Sequence, residues 1–401
     1  MSPSPIDTTN MPLSPDANYI KKLIIFSMIG FLCYIAVNMR LPLVPVHAAS
    51  MGISTAQIGF INAVYYLIAC VMSLPLAFFS DSFGKKAMAC TGLIVLSISA
   101  FSLCIAHNVI QFAAIYAGLG LGLAAYLPTM MALVADISPL SHLGRSYGWF
   151  TTAQNVGAGL GPAIGALLVR RIGFSCTFMV MGIAIFFSCL WSFLSIPNSP
   201  PPLSRVSSSG LSGLSELYRN RRLMIGFLAT VINCFGLGMF TTFFPLFAQN
   251  RHLQIEQIGW VFLAQGVINA VSRIPLGRIS DSVSDRISLV AWGSFIIALS
   301  MAGFGLSTQF VPFLLSALVL GVGVACAFTA IGALIAESAP TGHRSLAMGC
   351  YNTCIFLSLM ISSACMGGVV EWIGFDIGFL LTSAGMLLTI FFIRSPAIGK
   401  P

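Results

Sequence analysis

The chain has 401 residues, of which 57% are hydrophobic and 7% charged, with a net charge of +8. Soluble domains carry about 25% charged residues, so a soluble enzyme, a disordered tail protein and a secreted disulfide scaffold are excluded. The basic residues sit in short clusters between apolar runs, with no basic stripe interleaved with aromatics, which excludes a nucleic-acid partner and fits the loops of a membrane protein.

Residues 1–21 are polar and rich in Pro and Ser, without the cationic stretch and short apolar core of a signal peptide, and read as a cytoplasmic tail. A span of about 30 Å of hydrocarbon takes about 20 apolar residues. Twelve such spans follow, at 22–48, 56–80, 87–106, 110–136, 145–170, 174–196, 222–249, 256–279, 287–307, 311–336, 346–370 and 375–394. The break 197–221, rich in Pro, Ser and Gly, divides a first half (22–196) from a second (222–394), and 395–401 forms a short second tail. With both termini on one side, that side carries 15 of the 19 Lys and Arg and the other carries three (Arg170, Arg171 and Arg251), while Arg40 lies within the first span. The positive-inside rule therefore puts both termini in the cytoplasm. All 11 Cys lie in apolar runs and none forms a Cys-x-x-Cys pair, so they read as packing residues.

The halves repeat each other. At a shift of 200, Gln57-Ile58-Gly59 falls on Gln257-Ile258-Gly259, Pro75-Leu76 on Pro275-Leu276, and Ser80-Asp81-Ser82 on Ser280-Asp281-Ser282. At 201, Gly120 and Gly122 meet Gly321 and Gly323, Gly148 meets Gly349, and Ile172-Gly173-Phe174 meets Ile373-Gly374-Phe375. Parallel repeats of six spans are a plan of secondary transporters, with the substrate between the halves near the midplane.

The loop Ala77 to Lys86 and its twin Gly277 to Arg286 resemble the G-x-x-x-D-R-x-G-R-R loop of the major facilitator superfamily. Ala77 replaces the first Gly and Ser82 the first Arg. The resemblance covers all twelve spans and implies an all-α membrane fold of two pseudo-symmetric six-helix bundles, with a gating role for Asp81, Gly84, Lys85, Lys86, Gly277 and Asp281; the other reading of the loop is a solvated connection. Asp136 and Glu337 end spans four and ten, where the helix dipole disfavours an acid. A basic partner is expected, with Arg145 and Arg344 nearest in sequence, and these residues read either as part of the gate or as ordinary interfacial charges.

Span five carries Gly148, Gly157, Gly161-Pro162 and Gly165, and resembles the family's antiporter motif G-x8-G-x3-G-P-x2-G-G with Ala166 for the last Gly. Small residues at helical spacing allow close helix contact; a leak-tight seal and generic packing are both open. The Arg that the family's proton-linked members often carry in span four is absent, its place being taken by Tyr116, and no acid lies in the middle of any span. Proton coupling therefore rests on the resemblance of span five.

Arg40 is about 27 Å along a helix from Lys22, near the expected outer interface, where it either binds an anion or snorkels. Asn38, Asn62, Tyr65, Tyr66, Gln154, Asn155, Asn233, Gln265, Asn269, Tyr351 and Asn352 supply the rest of a candidate substrate cavity, with several of the 31 Phe and 18 Met around them. Each polar residue reads either as ligand or as interhelical glue. Gly118 to Gly122 lies in an apolar helix without a Walker Lys, and the five His are scattered, so no cofactor, metal or catalytic residue is expected. The expected function is alternating-access transport of small amphipathic organic compounds, exported in exchange for protons by a monomer in a bacterial inner membrane. A carrier for an organic anion using Arg40 and a transport-dead sensor or assembly factor remain as alternatives.

Overall fold

The computed structural model describes residues 17–139, 142–197, 217–283, 285–340 and 344–394. Most of the 197–221 linker, most of both tails, and the side chains of Asp81, Asp281 and Arg344 lie outside the described residues. The described residues form helices α1 Ala17–Ser50, α2 Thr55–Phe83, α3 Lys85–Ser102 and α4 Val109–Ile137, then the run Leu143–Ser195. That run breaks at Gly173, where φ of 77° and ψ of 174° leave the helical region, giving α5 (143–172) and α6 (174–195). The second half continues with α7 Arg221–Asn250, α8 Ile255–Ser282, α9 Arg286–Leu306, α10 Phe310–Ser338, α11 Arg344–Ile373 and α12 Phe375–Arg394. Gly374, with φ of 87°, makes the same break between α11 and α12. Both breaks need the left-handed region that only glycine adopts without strain, which explains the repeated Ile-Gly-Phe.

Each expected span coincides with a helix. Among the described residues, nine helical runs are long and apolar enough to cross a membrane, with Leu143–Ser195 counted as one. The two that fall short are α12, whose apolar stretch Phe375–Ile390 is shorter, and α8, which carries Glu256, Arg273, Arg278 and Asp281. Three of these charges lie within four residues of an end of α8, and Arg273 alone stands well inside it.

In the first half α1 packs on α5, and α4 on α2 and α3; in the second, α7 packs on α11 and α10 on α8 and α9. Contact between halves runs mainly through two symmetry-related pairs, α2 with α11 and α5 with α8. The end where α1 begins and α12 finishes is called the tail side below, and the opposite end the far side. The second half has an aromatic core: Phe240 is 4.8 Å from Phe262 and 5.2 Å from Phe244 and Phe304, and Phe247 joins Phe313 and Phe379. These rings are buried within the half. This part of the phenylalanine complement forms bundle interior, where the sequence suggested a cavity lining.

Candidate functional site

The halves meet most closely on the far side, and the repeated Gln-Ile-Gly builds the contact. In α2, Ser54 and Gln57 form a capping box, and Gln254 and Gln257 do the same for α8, fixing both helix starts. Ile58 and Ile258 are buried. Gly59 and Gly259 then bring one half against the other. A Cβ on Gly259 would lie 2.7 Å from Ala166 Cβ and 3.0 Å from Ala163 Cα on α5. A Cβ on Gly59 would strike the backbone of Ser363 and come 3.2 Å from Gly367 Cα on α11. Nearer mid-membrane, a Cβ on Gly266 of α8 would lie 2.6 Å from Gly159 Cα of α5.

Above each glycine contact sits a polar latch. Arg170 at the end of α5 pairs with Glu256 at the start of α8, 2.9 Å apart. At the matching place, Glu371 near the end of α11 accepts a 2.8 Å hydrogen bond from the Ala56 backbone N–H at the start of α2. One latch is an ion pair, and the other is a carboxylate on a helix N-terminus, where the dipole favours it.

The tail side is different. A Cβ on Gly148 of α5, Gly277 of α8 or Gly349 of α11 would meet nothing within 4 Å. The polar pairs there lie within each half. Lys85 at the start of α3 pairs with Asp136 at the end of α4, 2.6 Å apart. In the twin, Arg286 grips Glu337 through two bonds of 2.7 and 2.5 Å and donates to Ser280 O and Oγ on α8. The acids thus pair with Lys85 and Arg286; Asp136 does so instead of with Arg145, its nearest base in sequence, and the Arg344 side chain lies outside the described residues. Antiparallel α3 and α4 bring residues 51 apart together, whereas Arg145 lies on the lip of an apolar groove of about 460 Å3 between α1 and α5. Lys86 lies 4.7 Å over the Phe193 ring of α6, and Gly84 makes the α2–α3 turn at φ of 94°.

The span-five glycines face their own half. A Cβ on Gly157 would lie 2.6 Å from Phe31 O, one on Gly165 2.9 Å from Met39 Cβ, and one on Gly161 would strike the Ile35 carbonyl, all on α1. The face turned to α8 is Gly159, Ala163 and Ala166, with the Pro162 carbonyl 3.2 Å from a Cβ on Gly259.

The polar candidates fall into separate groups. Arg40 is 3% exposed, and its guanidinium lies 3.9 Å from the Tyr65 ring and 5.2 Å from the Tyr116 ring, with Tyr66 stacked edge-on to Tyr65. It points into the bundle instead of snorkelling outward. Arg273, inside the expected span 256–279, lies within α8, donates to Asn269 Oδ1 at 3.2 Å and interacts with Tyr351 of α11. Asn233 is fully buried and ties α7 to α9 through Ser294 Oγ at 2.9 Å, so it serves the bundle interior. Asn38, Asn62 and Asn155 bond carbonyls of their own helices. Gln154 is buried against Gly30, Gln265 is half-buried and Asn352 is exposed.

A family model described as Major Facilitator Superfamily matches residues 26–253 and again 226–400. The chain belongs to the major facilitator superfamily. An MFS-type transporter of Methanocaldococcus jannaschii is 24% identical over 358 residues, 88% of this chain and 92% of the relative. The quinolone resistance protein NorA of Staphylococcus aureus is 23% identical over 269 residues, 65% of this chain and 68% of the relative. Among solved structures, a POT family transporter in complex with 5-aminolevulinic acid has a TM-score of 0.81 at 14% identity, covering 95% of this chain and 97% of its own. The nucleoside transporter NupG has 0.79 at 14% identity, covering 94% and 100%. This MFS transporter is therefore a multi-pass membrane protein that moves small molecules across a lipid bilayer, and its family consists of transporters rather than enzymes.

The transporter's far-side contacts were not visible as a site in the sequence. Gly59 and Gly259 stood out only as parts of a repeat, and Glu256, Glu371 and Arg170 carried no motif. The available signal was their position: each lies within one turn of a far-side helix end next to a repeated glycine.

Proposed function

We propose that this MFS transporter is a secondary active exporter of small amphipathic organic compounds, working by alternating access in exchange for protons. Its halves, 22–196 and 222–394, rock as bodies about a shared cavity in a bacterial inner membrane, as a monomer with both termini cytoplasmic. The observation that carries the reading is the contrast between the two ends. Two symmetry-related glycine contacts with their latches close the far side, while α5, α8 and α11 carry glycines facing open space on the tail side. That is one state of an alternating-access cycle, open towards the cytoplasm where an exporter collects its cargo. The Lys and Arg bias supports the orientation, the span-five glycines support antiport, and the resistance relative supports export.

The test is transport in proteoliposomes with imposed pH and voltage gradients and a panel of cationic, neutral and anionic amphipathic compounds. Accumulation driven by the pH gradient is expected. Exchange that ignores both gradients would replace the antiporter with an exchanger, and no movement of any compound would remove the transport reading.

A further inference from the structure

The exporter reading leaves the charge of the cargo open, and the distribution of ionic residues closes it. Every acidic residue on the twelve helices lies within two positions of a helix end: Asp81, Asp136, Glu256, Asp281, Glu337, Glu371 and Asp376. No carboxylate stands in the middle of any helix. Two arginines do. Arg40 lies ten residues before the far end of α1, about 15 Å along the helix, and Arg273 nine residues before the tail end of α8, about 14 Å. One belongs to each half, and neither has an acidic partner within 4.0 Å among the described residues.

Burying an ionised group without a counter-charge is costly. The tyrosine rings around Arg40 offset part of that cost through cation–π attraction, and the Tyr116 side chain interacts with the guanidinium, but not all of its donors are satisfied. Its Nε and Nη1 are buried and have no hydrogen-bond partner among the described residues. Tyr66, beside it, interacts with Thr241 of α7, so the Arg40 cage borders the second half. Arg273 lies about 12 Å nearer the tail side, by the rise of the two helices, between Asn269 and Tyr351.

We infer that the cargo is an organic anion with a flat apolar body, its acidic group received by Arg273 from the tail side and held at Arg40, its body against the tyrosines. The inference rests on the exporter reading only for the direction of movement. A planar guanidinium with free N–H groups pairs with a carboxylate or sulfonate through charge-assisted bonds, and the rings supply apolar contact. Neutral or cationic compounds of the same shape leave both arginines uncompensated.

The experiment uses the purified full-length protein with three probes of one shape: naphthalene-2-sulfonate, its neutral sulfonamide and a naphthylmethyl-trimethylammonium. Binding is read by thermal shift and direct titration, and transport in proteoliposomes. The sulfonate is expected to bind at least about tenfold more tightly than the other two. Arg40→Gln and Arg273→Gln each weaken it about tenfold or more, leave the sulfonamide unchanged, and Arg40→Lys keeps part of the affinity. Preference for the sulfonamide or the ammonium, binding of none of the three, or full sulfonate affinity in both glutamine variants would overturn the inference. If Arg40→Gln does not fold, Arg40→Lys and Arg273→Gln carry the test. Failure of the exporter reading looks different: arginine-dependent sulfonate binding, but no gradient-driven accumulation.

Discussion

Replacing Gly259 with Val tests whether close packing of α8 on α5 closes the far side. The first added carbon falls 2.7 Å from Ala166 Cβ, 3.0 Å from Ala163 Cα and 3.2 Å from Pro162 O. Carbon atoms in contact prefer about 3.5–4.0 Å, so the helices must separate by roughly 1 Å, and the backbone atoms among these neighbours cannot rotate away. Overpacking of this kind costs about 1–3 kcal/mol, and it falls only on the state in which the halves touch. The equilibrium should then move about 5- to 150-fold towards the far-open state. Nitroxide labels at Ser50 and Asn250, both exposed at far-side ends of opposite halves, report the change in a background lacking the 11 native cysteines. Gly259→Val should add a longer-distance population. So should Gly367→Val, whose Cβ would lie 3.0 Å from Ala56 Cα, whereas Gly368→Val, with nothing within 4 Å, should not. A folded, monodisperse Gly259→Val protein with the parent distance distribution, or an equal response from Gly368→Val, would refute the packing argument.

The ion pair above that contact should matter less: Arg170 is 69% exposed at its side chain, so a double-mutant cycle with Glu256 should give about 0.2–1 kcal/mol of coupling to far-side opening. Asn233→Ala should lower thermal stability in detergent by about 0.6–1.7 kcal/mol and leave the transport KM unchanged; lost transport at unchanged stability would return Asn233 to the cavity. On the tail side, Lys85→Arg should be neutral, but Arg286→Lys should cost about 1 kcal/mol in unfolding measurements, because lysine reproduces neither the two-pronged grip on Glu337 nor the bonds to Ser280. Equal costs for the two would show that only charge matters there.

The helices were legible because a bilayer imposes length and apolarity on each span, and the duplication was legible because Gly, Pro and Gln recur where apolar composition alone would not place them. What stayed hidden is what depends on how helices meet. Asp136 finds Lys85, far off in sequence, because antiparallel neighbours share an end. Arg273 already falls inside the expected span 256–279, but only the packing of α8 brings it beside Asn269 and Tyr351. The span-five glycines announce a tight helix but not which neighbour they meet, and most of them serve α1 within the same half. Arg40 gives the same lesson: its distance along α1 places it by height, while only the positions of Tyr65 and Tyr116 show that it turns inward.

The two far-side latches sort their chemistry by half. The first half offers the proton-bearing groups, Arg170 and the Ala56 amide, and the second offers both carboxylates, Glu256 and Glu371. Two copies of either half would place like against like, cation facing amide or acid facing acid. The rim therefore has a polarity that admits only unlike partners, so the two moieties, expressed as separate polypeptides, should reassemble as a mixed pair and never as twins.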